Sequence, residues 1–167
     1  MSFEIRGIHC DPSRRHISID TMKKIIQKSS LCNINTLHIH LSDDQGIAVE
    51  SNVLNYHGGW SICEQIKLAK YAKKYNIQII PEIDIPGHTI ALRSILENGV
   101  FKPEEQMGII SEGLIKLEHL AKILELYTEI ADRFDVKYFH MGGDETKNAS
   151  NKYFQEIVDK VCDWGCY

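Results

Sequence analysis

Stretches of period-two alternation and stretches of helical periodicity follow one another along this chain, and they predict a succession of strands and helices. Phe3 to His9 alternates and runs into turn chemistry at Asp11-Pro12-Ser13-Arg14, so a first strand is expected there. With that period Arg6 and Ile8 share one face and Ile5 and Gly7 the other, which sets a cation in an apolar strand. Asp20 can cap a helix through roughly Leu31, with Met22, Ile25 and Ile26 on its buried side. A second strand, Thr36 to Leu41, points Leu37, Ile39 and Leu41 one way and His38 and His40 the other.

Ser61 and Glu64 have capping-box spacing and open a helix to about Tyr75, with Ile62, Ile66, Ala69 and Ala72 as its apolar face. The third strand, Ile77 to Asp84, places Glu82 and Asp84 on the face of Ile80, and Pro86-Gly87-His88 ends it. A short helix over Thr89 to Leu96 leads into an irregular stretch through Gly99, Pro103 and Gly108. Leu117, Leu120, Ile123, Leu124, Tyr127, Ile130, Ala131 and Phe134 form the most regular helical stripe. A fourth strand is expected over Asp135 to Met141, and a last helix carries Phe154, Ile157, Val158, Val161 and Cys162 on one side.

Strand and helix alternate through four units, which implies an α/β fold with a parallel sheet: a small doubly wound sheet, or half of a (β/α)8 barrel. The polar residues favour the barrel. Arg6, His38 or His40, Glu82, Asp84 and His140 recur near the expected carboxyl ends of all four strands, and in a barrel those ends converge on one mouth. At 167 residues and 43% hydrophobic content the whole chain, 1–167, is read as a single domain.

The formal charge of -4 is mixed along the chain, and the longest basic runs, Arg14-Arg15 and Lys73-Lys74, are too short to track phosphates. No nucleic-acid partner is expected. The first residues contain no apolar core of signal-peptide length and no stretch approaches a membrane span, so a cytoplasmic protein with no membrane partner is expected. The cysteines, Cys10, Cys32, Cys63, Cys162 and Cys166, are odd in number and lack Cys-x-x-Cys spacing, which argues for free thiols.

The candidate chemistry gathers at His140-Met141-Gly142-Gly143-Asp144-Glu145, where two glycines turn the backbone at a strand's carboxyl edge and adjacent carboxylates follow. The same pair could instead cap the helix that starts near Ser150. His38 and His40, at i and i+2, suit one metal ion or a pair of hydrogen-bonded core histidines, and no His-Glu-x-x-His motif accompanies them. Glu82 and Asp84, if buried on an apolar strand, need a cation or a function. A metal-dependent hydrolase using His38, His40 and His88 is an alternative to chemistry at the carboxylate pair.

Together Arg6-Gly7 with Asp11-x-x-Arg14, Asn35-x-Leu37-His38-x-His40-Leu41-Ser42-Asp43-Asp44-Gln45-Gly46, Pro81-Glu82-Ile83-Asp84-Ile85-Pro86-Gly87-His88 and His140-Met141-Gly142-Gly143-Asp144-Glu145 resemble glycoside hydrolase family 20, the β-N-acetylhexosaminidases. The resemblance implies a retaining, substrate-assisted removal of terminal N-acetyl-β-hexosamine, with no cofactor and no metal. It implies Glu145 as general acid/base, Asp144 as the residue that orients the 2-acetamido group, Asp43 and His88 as a relay to the acid, and Arg6, Asp84 and His140 as contacts to the sugar or its surroundings. Where the family has an aromatic and an arginine after Asp43-Asp44-Gln45-Gly46, this chain has Ile47-Ala48. The family's barrel has eight strands, so the chain is read as its N-terminal half, truncated or a degenerate binding module. The partner is then an N-acetylhexosamine-containing glycan. Self-association to cover open barrel edges and the inner faces of Ile8, Ile80 and Tyr138 is also expected.

Overall fold

The computed structural model describes residues 3–101, 114–146 and 149–165. Pro103 and Gly108, in the expected irregular stretch, and Cys166 lie outside the described residues. Three parallel strands form the central sheet: β1 (Gly7–Cys10), β2 (Thr36–His40) and β5 (Gln78–Glu82), in the order β1-β2-β5. Between the last two, β3 (Ser42–Asp43) and β4 (Gly46–Ile47) form an antiparallel hairpin. Five helices are described: α1 (Ile19–Leu31), α2 (Ile62–Lys74), α3 (Ile90–Asn98), α4 (Leu120–Phe134) and α5 (Asn151–Gly165). None of the described helices is long and apolar enough to cross a membrane.

The capping residues show why the helices begin where they do. Ser61 Oγ accepts from the Glu64 N–H while Glu64 returns a bond to the Ser61 N–H, the reciprocal box that the sequence spacing predicts. For α1 the cap is Ser18, whose side chain accepts from the Thr21 N–H, and Asp20 sits inside the first turn. Both serve the exposed helix dipole, but the hydroxyl two residues earlier has the geometry to reach an orphan N–H. α3 borrows its cap: Asp44 Oδ1, from the β3–β4 turn, accepts from the Ile90 N–H at 3.0 Å. That bond ties the turn after β2 to the segment carrying His88.

Register assigns the two faces of the sheet. Ile8, Leu37 and Ile79 are lateral neighbours, as are Cys10, Ile39 and Pro81. Leu37, Ile39 and Ile79 are buried in one cluster with Met22 and Ile26 of α1, Leu68 and Ala72 of α2, and Ile123 and Ile130 of α4. His9, His38 and Ile80 line up on the opposite face, where His9 is exposed and the other two half-exposed. Parallel sheets ordinarily bury both faces; here, among the described residues, this second face is only partly covered, with His40 and Glu82 buried at its carboxyl end and His9 exposed at its β1 side. Ile8 belongs to the helix-covered side, contrary to expectation, and Gly7 and His9 take the inner side of β1.

The fourth strand is reduced. Helix α4 runs to Phe134 and stops with Asp135 in the left-handed region, so Asp135 to Lys137 form its cap and not a strand. Beyond it the chain lies parallel to β5 through one bridge, Glu82 with His140, supported by His140 N–H to Pro81 O and Ile85 N–H to Met141 O, both 2.9 Å. Its outer side has no strand neighbour among the described residues, and Tyr138 is 55% exposed. Three full strands and a bridged segment therefore stand where four strand-helix units are expected.

Candidate active site

The carboxyl ends of the strands carry the polar residues. At the end of β5, Glu82 accepts from both histidines of β2: its Oε1 lies 2.6 Å from His40 Nδ1, and its Oε2 contacts His38 Nε2. The strand period that points His38 and His40 to one face also points Glu82 there, and His40 is its register partner. These histidines are thus hydrogen-bonded to a carboxylate. His140 adds Nδ1 at 3.0 Å from Glu82 Oε2. Burial alone would raise the Glu82 carboxyl, but the bonds from His38 and His40 hold it well below the usual carboxylate range.

His40 links this cluster to Asp43, whose Oδ2 lies 3.3 Å from His40 Nε2. Burial disfavours the imidazolium, yet bonds to Asp43 and Glu82 push His40 up to about 10. Asp43 is 1% exposed and also receives Arg14 Nη2 at 2.6 Å. Arg14 is positioned from its own turn, because Asp11 Oδ1 accepts from the Ser13 and Arg14 N–H groups and Asp11 Oδ2 takes Arg14 Nη1 at 2.8 Å. The tightness of that turn is set from the hairpin side too: a Cβ on Gly46 would stand 2.9 Å from Ser13 O.

Asp43 faces a second histidine. His88 Nδ1 lies 3.5 Å from Asp43 Oδ2, and His88 Nε2 lies 3.2 Å from Glu145 Oε2. Both His88 and Glu145 hold positive φ, 52° and 51°, backbone strain of the kind that accumulates at functional positions. The loop before Glu145 is fixed by Asp84, whose Oδ1 accepts from the Gly143 N–H at 2.9 Å. Gly142 must be glycine: its φ is 75°, and a Cβ would stand 1.8 Å from Asp84 Oδ1. Asp84 is fully buried with Oδ2 lacking a hydrogen-bond partner. Burial, with Asp144 and Glu82 nearby and only partly offset by the Gly143 bond, raises its carboxyl to about 7.

A pocket of about 250 Å³ opens between these groups, lined by His9, Arg14, His40, Glu82, His140, Gly142 and Asp144. It offers one guanidinium, imidazoles and an exposed carboxylate, Asp144, to a polar ligand, and Glu145 follows Asp144 in the chain. Of the residues expected to act, Asp43, His88, Asp84, His140, Asp144 and Glu145 are brought to this end of the sheet. Arg6 is not. β1 begins at Gly7, so Arg6 stands at its amino end, where its Nε–H donates to Asn33 O at 2.7 Å and its N–H to Asn35 Oδ1 at 2.8 Å. Arg14, across the strand, holds the position at the mouth, and the Asp11-x-x-Arg14 spacing was the signal for it. His38, His40 and His88 do not converge either, since His88 faces Asp43 and Glu145. Ile47 and Ala48, where an aromatic and an arginine were expected, are buried in the core.

Comparison with known proteins agrees with the family expected. Residues 3–163 match the glycosyl hydrolase family 20 catalytic domain. The β-hexosaminidase of Vibrio furnissii is 28% identical over 86% of this chain, a region that is 29% of the relative. Among solved structures, dispersin B superposes with a TM-score of 0.82 at 24% identity over 97% of this chain and 55% of its own. The Vibrio harveyi exo-β-N-acetylglucosaminidase, solved in complex with N-acetylglucosamine, gives 0.73 at 26% identity over 96% of this chain and 31% of its own. This chain therefore spans less than a third of the curated relative and about half of dispersin B. The fold likeness is to barrel enzymes, and with the match running from before β1 into α5, the chain belongs to glycosyl hydrolase family 20.

Proposed function

We propose that this chain carries the acid/base side of an active site that removes terminal non-reducing N-acetyl-β-hexosamine from glycans. The observation that carries the reading is the file Asp43, His88, Glu145, ending beside Asp144 and the Arg14 pocket. In this reading Glu145 gives its proton to the glycosidic oxygen as the acetamide oxygen of the substrate attacks the anomeric carbon. The C–O bond to the aglycone breaks and a cyclic oxazolinium ion forms. Asp144 accepts from the acetamide N–H and stabilises the developing cation. Water then attacks the same carbon, giving its proton to Glu145 and restoring the original configuration. Arg14 donates to ring hydroxyls, a task suited to a planar group with several donors. Asp84 acts through the Gly143 N–H, holding the loop that presents both acids.

The chain as a half-barrel is the second part of the proposal. A sheet only partly covered on its inner face, with the segment at Tyr138 as an open edge, supports association with a second copy about a two-fold axis. The walls that would enclose a sugar are then incomplete, so hydrolysis by the chain by itself is expected to be weak. The test is prolonged incubation with an aryl N-acetyl-β-glucosaminide. Turnover that is lost in Glu145→Gln agrees with the assignment, and turnover retained in that variant overturns it, because an amide cannot donate the proton.

A further inference from the structure

On the inner face of the sheet, the structure assigns a binding site for a divalent transition ion of the zinc class to His9, His38 and Glu82, with His140 beside them. His9 and His38 are register partners on β1 and β2, so their rings project from one face, with centroids 4.7 Å apart. A nitrogen of each and an oxygen of Glu82 lie within 4.8 Å of one another. Ligands held about 2.0 to 2.1 Å from one zinc ion stand roughly 3.3 Å apart, so small side-chain rotations close the site.

The supply of imidazoles exceeds what one carboxylate oxygen can use. Glu82 Oε1 is engaged by His40, which is itself held by Asp43, leaving Oε2 to His38, with the His140 ring 4.7 Å from that of His38, its Nδ1 accepting from the Gly142 N–H, and with His9 against His38. A carboxylate ligand whose other oxygen is fixed by a hydrogen-bonded histidine has the support that orients metal ligands. Two nitrogens and one oxygen leave the remaining position to water or a ligand. The sequence spacing pointed at His38 with His40. The register replaces His40 with His9.

This site shares Glu82, His9 and His140 with the wall of the pocket proposed for the sugar. The test is titration of the chelator-treated protein with Co²⁺, read by its visible spectrum, and with Zn²⁺, read by calorimetry. The expected result is one equivalent bound, with the weak visible bands of nitrogen and oxygen ligation and no intense thiolate band. His9→Gln and His38→Gln should each weaken binding at least tenfold, and His57→Gln, at an exposed surface histidine, should leave it unchanged. His9 is exposed, so its variant keeps the fold, which its unchanged thermal midpoint without metal verifies. Absence of saturable binding, a thiolate spectrum, or an isotherm unchanged in His9→Gln would overturn the assignment.

Discussion

His88 Nε2 stands 3.2 Å from Glu145 Oε2 while the opposite nitrogen of the same ring faces Asp43, so one imidazole joins a buried carboxylate to an exposed one. Such a file sets the ring between the two acids. In any assembly of this chain that turns over an aryl N-acetyl-β-glucosaminide, His88→Gln is expected to lower kcat about 100-fold with KM little changed, and to shift the pH profile of kcat. A change confined to KM would show that His88 serves binding only.

The loop geometry makes its own prediction. Gly142→Ala places a methyl group against Asp84 and forces a left-handed backbone on alanine, so a loss of about 2 kcal/mol or more is expected from urea unfolding. The partner variant Asp84→Ala removes the carboxylate part of the clash, leaving the Asp84 Cα at 2.8 Å, and should make the second substitution cheaper than it is in the parent. Additive losses would contradict this contact.

Stability should depend on pH in two opposite ways. Burial raises the Asp43 carboxyl, but the His40 bond, with Arg14 and His88 near, holds it below its ordinary value. Its stabilisation is therefore complete above the unfolded value of about 3.9 and is lost as pH falls through its lower folded value. His40 is raised to about 10. Its stabilisation is complete below about 6.5 and is lost as pH climbs from there through its folded value. Asp84, raised to about 7, adds a loss of stability as pH climbs from about 3.9 through that value, so urea midpoints should fall towards both extremes, with a shallower acid limb in Asp43→Asn. An acid limb unchanged in that variant would contradict the role of Asp43.

These contacts also mark what could be read from sequence. The Ser61 and Glu64 cap and the alternation of β2 are local patterns, written within a few residues, and both appear in the structure as expected. Arg6 failed because period-two arithmetic assigns a face but not the point where a strand starts. Pairing begins at Gly7, which leaves Arg6 at the amino end. The segment at Tyr138 has strand composition, yet with one neighbour it forms a single bridge, since pairing is a property of two chains and not of one. The register that sets His9 against His38 joins residues far apart in the chain, and no local pattern records it.

The partly covered face predicts association. Light scattering should give a dimer or larger species, and Tyr138→Lys, which sets a charge on the open edge, should reduce it. A monodisperse monomer with robust hydrolysis would show that this sheet needs no cover.

The most direct measurement of the central claim is calorimetric titration with a stable thiazoline mimic of the oxazolinium ion of N-acetylglucosamine, which needs no turnover. Saturable binding by the parent chain, weakened at least tenfold in Asp144→Asn and in Arg14→Ala but not in Arg6→Ala, is the expected result. Binding that is absent, or indifferent to Asp144 and Arg14, would contradict the account.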